Sequence, residues 1–398
     1  MRIAYLAPYQ GRELPKRRPI DQNRSLANTT KIELIAQTLR ASSHQVEIIS
    51  QGEVGGLKFK FYPSFCEPEV ISPDIPVYYA SALPIRRLNA LWSSICMLQR
   101  FRIRHAACPY DIAIILNLKH PQIVCARHAV HRLHIPVILE YEDDAFVDIS
   151  GQPMKHSLGY NRYATKALNE VSGCMACSPR LLSQLPPGIP KLLLRGMVGA
   201  DLVNFGERNG GFKKDWVLFS GTHSKQYGIP SLIAAWRKAE LPGWELHITG
   251  DGEDTVALKQ LAESAPGIHF HGLVSRQELV SIMCSAKICI NPHTVSQTPG
   301  NVFAFKIIEY LAAGAHVITT PMGTLEEELE AGITYMQRND PDTIATTLKE
   351  VIRDRKWEKR AADFACNTYG PAGVSSSLTR LVSESFSMGA AKPARKPS

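Results

Sequence analysis

The feature that most constrains this chain is an alternation of short apolar, β-branched runs with segments of helical period, played through twice. The first series has a strand at residues 2–7, a helix from Asn28 to Ala41 marked by Ile32, Ile35, Ala36 and Leu39, and a strand at His44 to Ser50. It continues with a helix over Arg86 to His105 and strands at 111–116, 136–141 and 171–178. The second series starts at Trp216, with strands at 217–221, 244–252, 268–272 and 288–292 and a helix from Ile229 to Ala239. Strands separated by helices need crossover connections and so assemble into parallel sheets. A chain of 398 residues also exceeds one hydrophobic core. The expectation is an α/β protein of two Rossmann-like domains that meet near residues 196–214 and face each other across a cleft. The domains are placed at 1–200 and 201–375, with a C-terminal helix at 376–389 able to pack back on the first domain and a disordered tail at 390–398. Residues 11–24 read as a basic, proline-containing loop, and residues 51–84 fit no template.

Composition narrows the function class. Hydrophobic residues make up 44% and charged residues 21% of the chain, as in globular domains, and no apolar run reaches membrane-spanning length. The N-terminus turns polar too soon for a signal peptide. Nine scattered cysteines, an odd number, argue against a disulfide framework and for a reducing, cytoplasmic setting. Cys174-Met175-Ala176-Cys177 is a lone CxxC with no second pair at zinc spacing, and it reads as part of a buried strand. The net charge of +8 favours anionic partners. The basic residues are dispersed and no RNP, zinc-finger or helix-turn-helix pattern occurs, so nucleic acid is not among the expected partners. The first βαβ unit lacks GxGxxG, which removes a dinucleotide cofactor.

One segment carries chemistry. Asn301 to Thr319 reads as a loop, a short helix holding Lys306 and Glu309 on one side, a stop at Gly314, and a buried strand from His316. A helix start with a nearby lysine suits a phosphate, and a glutamate one turn on can accept from a diol such as ribose.

This segment resembles the donor-site helix of retaining GT-B glycosyltransferases, family 4 in particular. Their motif is Glu, seven residues, Glu, then small-x-Gly-x-Pro-Val-Ile. Glu309 stands at the second Glu and Ala313-Gly314-Ala315-His316-Val317-Ile318 follows in step, but Asn301 replaces the first Glu. An FSG loop at 219–221, a GDG turn at 250–252, a FHGLVSRQEL segment at 270–279 and an INP strand end at 290–292 match in order. The resemblance covers roughly residues 190–325.

The resemblance implies a nucleotide-sugar donor held by Gly221, Lys225, Gly250, Gly252, Asn301, Phe303, Ala304, Phe305, Lys306 and Glu309. The family places an Arg and a Lys on the donor diphosphate; here Thr222 occupies the Arg position, and Lys225 with Lys306 forms the expected cation pair. His120, in the loop after the strand ending at Leu116, is the candidate near the reaction centre, with Lys119 behind it. Asp143 and Asp144, beside Glu142 at the end of a neighbouring strand, are the acceptor-side candidates. The catalytic set is therefore His120, Lys306 and Lys225. No metal or other cofactor is expected, because such enzymes replace the metal with cations and helix dipoles. The reading is a glycosyltransferase moving a sugar to a glycan or lipid-linked acceptor, with retention. A UDP-sugar epimerase and a non-catalytic partner subunit of the same fold are the alternatives. The basic segment Arg86 to Arg104 allows a peripheral contact with the inner membrane face, but its apolar residues Leu88, Leu91, Trp92, Ile95 and Leu98 read first as a core face.

Overall fold

The computed structural model describes residues 1–11, 13–19, 26–52, 54, 60–68, 75–85, 89–148, 152–154, 159–208, 213–294, 303–354 and 359–391. Two separate sheets carry the fold. The first comprises β1 (Arg2–Leu6), β2 (Gln45–Ser50), β3 (Phe65–Glu67), β4 (Val77–Tyr79), β5 (Ile112–Leu116), β6 (Val137–Tyr141), β7 (Gly173–Ala176) and β8 (Lys191–Leu193). Their order is β3-β4-β2-β1-β5-β6-β7-β8, parallel throughout except where β3 meets β4. The second comprises β9 (Lys214–Ser220), β10 (Glu245–Thr249), β11 (Ile268–Gly272), β12 (Ala286–Asn291), β13 (His316–Thr319) and β14 (Ile333–Tyr335), in the order β11-β10-β9-β12-β13-β14 and all parallel.

The central strands β1, β5 and β6 are buried from end to end, which is why they read as unbroken apolar runs rather than alternating ones. In each sheet the strand order reverses beside the first strand of its series, at β1–β5 and at β9–β12. A crevice forms at the carboxyl ends of the strands at such a reversal.

Several expectations are corrected. Within the basic loop, Leu14–Arg17 forms a short helix. Arg18 is buried and donates to the carbonyls of Gly52, Pro63 and Ala80 at 2.7–2.8 Å, so it ties three segments together. The stretch 51–84 contributes β3 and β4, too short to carry a period. The helix Asn89–Ala107 buries Ser93, Ser94, Met97 and Phe101, whereas Leu91 and Ile95, read as core, are exposed. Its small residues face inward because the following helix, His120–His128, packs closely along it. Arg86, Arg87 and Leu88 lie outside the described residues.

The chain passes between the two domains twice. At the first crossing, Val198 N–H donates to Tyr369 O at 2.7 Å, so the outgoing segment is bonded to the returning one. The last helix, Pro371–Ala391, begins five residues before the expected 376. It lies on the first domain, where Val374, Leu378, Leu381 and Val382 join Ile3, Ile35, Ile138 and Met175 in one core. Of the expected tail, residues 392–398 lie outside the described residues.

Candidate active site

The carboxyl ends of the two sheets line a cleft of about 410 Å³. The first domain supplies Asn28, Thr30, Glu142, Asp143, Cys177 and Arg195. The second supplies Ser220 to Thr222, Tyr227, Thr249 to Asp251, Leu273, Val274, Arg276, His293 and the turn from Phe303 through Lys306 to Glu309.

Three strand ends form the floor of the second domain. Gly250 has φ +116°, and its N–H donates to Gly272 O at 2.8 Å. A Cβ at this position would lie 1.9 Å from Gly221 O, so only glycine lets the two loops touch. Gly252 packs in the same way on the His223 backbone and does not line the cleft. The short helix Lys306–Ala312 closes over this floor and ends at Gly314, φ +72°, as the sequence motif predicts. Tyr310 fixes the helix to the floor: its hydroxyl accepts from Ser220 N–H at 2.8 Å.

Lys306 projects from the first turn. Its Nζ donates to Ser220 O at 3.1 Å and lies 4.2 Å from the Phe219 ring and 5.3 Å from the Tyr227 ring. Among the described lining residues it is the one cation whose contacts are a carbonyl and two rings rather than a carboxylate. Arg195 is held by Glu326 at 2.9 and 3.1 Å, and Arg276 by Glu309 at 2.6 Å and Asp201 at 2.7 Å. The side chain of Lys306 is half-buried, and desolvation lowers its pKa to about 7. An ammonium there lacks compensation, so an anion delivered into the cleft would be paired at little further cost. The helix has only seven residues, so the lysine charge outweighs the helix dipole as an anion ligand.

Glu309 is buried at the cleft wall, one turn beyond Lys306. Burial raises its carboxyl above the usual range and the Arg276 guanidinium opposes the rise. The sequence reading missed this ion pair. Arg276 opens the helix Arg276–Ser285 behind a Ser275/Glu278 capping box, which the residues S-R-Q-E do signal. Its partners, however, are 33 and 75 positions away. Arg195 was equally silent, although a lone arginine after the run Leu192 to Leu194 marks a strand end.

Residues 214–354 match the family described as glycosyl transferases group 1. Two curated proteins align with parts of the chain. The gpi3 subunit of phosphatidylinositol N-acetylglucosaminyltransferase of Schizosaccharomyces pombe is 29% identical over 132 residues, 32% of this chain and 28% of that protein. Phosphatidyl-myo-inositol mannosyltransferase of Mycolicibacterium smegmatis is 28% identical over 143 residues, 35% of this chain and 36% of that protein. The chain thus spans about a third of the length of the curated relatives it matches. Among solved structures, sucrose-phosphate synthase from Thermosynechococcus elongatus superposes with a TM-score of 0.72 at 14% identity, over 97% of this chain and all of that one (100%). Anabaena HepE in complex with UDP-glucose superposes with a TM-score of 0.64 at 16% identity, over 96% and 99% of the two chains. The fold is GT-B, and the family match with both curated relatives supports a glycosyltransferase. The matched stretch contains Lys306, Glu309, Arg276 and the glycine floor.

The other expected donor residues separate. Gly221, Gly250, Phe303, Ala304, Phe305, Lys306 and Glu309 come together. Lys225 does not join them: it opens a 3-10 turn, Lys225–Tyr227, that points it to solvent, and Tyr227 of the same turn lines the cleft instead. The expected Lys225–Lys306 cation pair is therefore absent from the described cleft lining. Asn301 lies outside the described residues.

On the acceptor side Asp143 reaches the cleft and Asp144 does not. Asp143 Oδ2 accepts from Asn117 Nδ2 at 3.0 Å. Desolvation and then the Glu142 charge raise its carboxyl, while Lys119 opposes. Asp144 is buried and occupied, accepting from Phe146 N–H at 2.9 Å and Gln184 Nε2 at 2.6 Å. His120 is not in a loop but is the first residue of the helix His120–His128, exposed, with Nδ1 2.7 Å from Ser94 Oγ. Neither His120 nor Lys119 lines the cleft. Asn117, at φ +56°, shapes this loop: its Oδ1 accepts from the amides of Glu142 and Asp143 at 2.8 and 3.1 Å. Behind it, buried Lys31 pairs with Glu142 and lies 3.5 Å from Glu140, whose carboxyl also accepts from Tyr5. Burial outweighs the lysine and holds the Glu140 carboxyl above the usual carboxylate range.

Proposed function

We propose that the chain moves a glycosyl group from a nucleoside diphosphate sugar to a hydroxyl of a glycan or lipid-linked acceptor, with retention at the anomeric carbon. The observation that carries this reading is Lys306, a cation without a carboxylate partner among the described residues, set where two sheet ends converge and across the cleft from Asp143 and Glu142. The diphosphate would lie against Lys306 and the glycine floor. Glu309 would take the ribose, and Leu273 and Val274 would border the base. As the sugar–phosphate bond breaks, negative charge grows on the departing oxygen and Lys306 offsets it. Asp143 is the cleft carboxylate left to orient the acceptor hydroxyl. No metal is assigned to this reaction. The names of both curated relatives concern phosphatidylinositol substrates, which supports a lipid-linked acceptor.

The test is a thermal-shift series with UDP, GDP and dTDP, followed by assay of the matching sugar donors for hydrolysis without acceptor. A nucleotide at 100 times its dissociation constant should stabilise the fold by about 2.7 kcal/mol. Binding with no turnover of any donor would favour the non-catalytic alternative. No stabilisation by any of the three would remove the donor site.

A lipid-linked acceptor calls for a membrane-facing surface, and the helix Asn89–Ala107 offers one. Leu91, Ile95 and Ile103 are 52–54% exposed and recur at helical spacing on one side, with exposed Arg102 next to Ile103. Two residues of the segment are turned away from such a surface. Arg104 donates to Glu47 at 2.9 and 3.1 Å, and the Trp92 indole nitrogen is shielded from solvent. Among the described residues no helix is long and apolar enough to cross a membrane. The exposed apolar side chains of this helix support a peripheral position on the cytoplasmic membrane face. Wild type should co-sediment with anionic vesicles at low salt, and Leu91→Ser/Ile95→Ser/Ile103→Ser should lose most of that binding. Equal sedimentation of the two would return the helix to an ordinary solvent face.

A further inference from the structure

Away from the cleft, the open edge of the second sheet carries a second cluster of reactive side chains. Strands β10 and β11 pair in parallel with His247 opposite His269, and β9 places Trp216 opposite Glu245. The alternation Glu245-Leu246-His247-Ile248 and Ile268-His269-Phe270-His271 sends Leu246, Ile248, Ile268 and Phe270 to the apolar core. Glu245, His247, His269 and His271 are thereby left on the opposite face, with the Trp216 ring 3.8 Å from the His247 ring. His247 is buried, while Glu245 and His269 reach solvent.

The contacts go beyond a hydrogen-bond chain. His247 Nε2 is 3.1 Å from Glu245 Oε2, and His247 Nδ1 is 2.8 Å from His271 Nε2. His269 Nε2 lies 3.8 Å from Glu245 Oε1, too far for a hydrogen bond. One ligand atom each of Glu245, His247 and His269 falls within 4.8 Å of the others. Around a tetrahedral zinc ion with bonds of roughly 2.0–2.1 Å, ligand atoms stand roughly 3.3–3.4 Å apart. The two separations from the Glu245 carboxylate, 3.1 Å from Oε2 to His247 and 3.8 Å from Oε1 to His269, lie on either side of that value.

We propose that Glu245, His247 and His269 form a site for a divalent transition-metal ion of the zinc class, with His271 holding the His247 ring in place. With His247 Nε2 on the metal, the His247 proton stands on Nδ1 and is donated to His271 Nε2, whose own proton then lies on its Nδ1; the two rings change tautomer together and neither releases a net proton. Two imidazoles and one carboxylate suit zinc and its neighbours rather than magnesium or calcium, and the remaining position opens to water. The ion would clip the edge strand β11 to β10. Beyond Gly272 the chain runs directly into Leu273 and Val274 at the cleft, so the clip would steady that border without entering the reaction.

The test uses untagged, reduced full-length chain and Co²⁺, displaced in turn by Zn²⁺. Wild type should bind one Co²⁺ with visible d–d absorption and no near-ultraviolet thiolate band, and Zn²⁺ should raise its melting temperature. His269→Ala and Glu245→Gln, both at partly exposed positions, should each weaken binding about tenfold or more and abolish the zinc-dependent rise. A thiolate band would assign the metal to the free cysteines and overturn the proposal. So would failure to bind Co²⁺, or binding by His269→Ala as tight as by wild type.

Discussion

Replacing Lys306 by alanine is expected to lower the turnover number by about two to three orders of magnitude while nucleotide affinity falls much less. The charge is needed most when the leaving phosphate becomes more anionic, and interactions made chiefly in the transition state act on turnover. An unchanged turnover number with a raised Michaelis constant would instead make Lys306 a uniform binding residue. A second readout follows from its titration. With a pKa of about 7, much of Lys306 is deprotonated at pH 8, and a bound diphosphate should restore the proton. Calorimetry of nucleotide binding at pH 8 in buffers of different ionisation enthalpy should show proton uptake by wild type and none by Lys306→Ala. The stability sign runs the other way. The folded pKa lies below the unfolded value of about 10.4, so the partly desolvated amine costs stability fully below pH ~7 and progressively less as pH rises toward ~10. Lys306→Ala should therefore unfold at a higher temperature than wild type near pH 6.

Glu309→Ala should reduce donor turnover about tenfold to a hundredfold, the worth of roughly 1.5–3 kcal/mol for a charged hydrogen bond. It should also destabilise the fold, because Arg276 loses one of its two carboxylates and keeps only the more exposed Asp201. The two effects separate in a double variant. Arg276→Ala added to Glu309→Ala removes the half-paired guanidinium and should recover part of the thermal stability without recovering turnover. If turnover returned along with stability, Glu309 would serve only to hold Arg276, and the ribose assignment would fail.

The parts of this site legible in sequence are those built from neighbours in sequence. Lys306, Glu309 and Gly314 fall within a single turn-helix-strand segment, so spacing alone sets their relation, and the glycine of 250 marks a turn between a strand and a helix. The misplaced residues depended on loop direction. Lys225 and Tyr227 share one 3-10 turn, and nothing local says which enters the cleft. Asp143 and Asp144 are adjacent, yet Asn117, 26 positions earlier, turns Asp143 into the cleft. The Arg276–Glu309–Asp201 triangle and the Arg195–Glu326 pair join residues from different crossovers. The parallel sheets were readable because buried parallel strands must be apolar and are joined by helical crossovers, whereas their strand order and the facing of the helices were not: the small residues of Asn89–Ala107 turn inward because of what packs on them.

The last helix has a bearing on how the protein is made. The outer cover of the first domain, Val374 to Val382, is the final part of the described chain to be synthesised, after all of the second domain. During translation the first sheet must wait with the part of one apolar face not covered by the helix Leu26–Ala41 open while some 180 further residues emerge. The first domain begun is the last completed, and the second can fold before it. A nascent chain stopped near residue 370 should accordingly be the most aggregation-prone species the ribosome produces from this message.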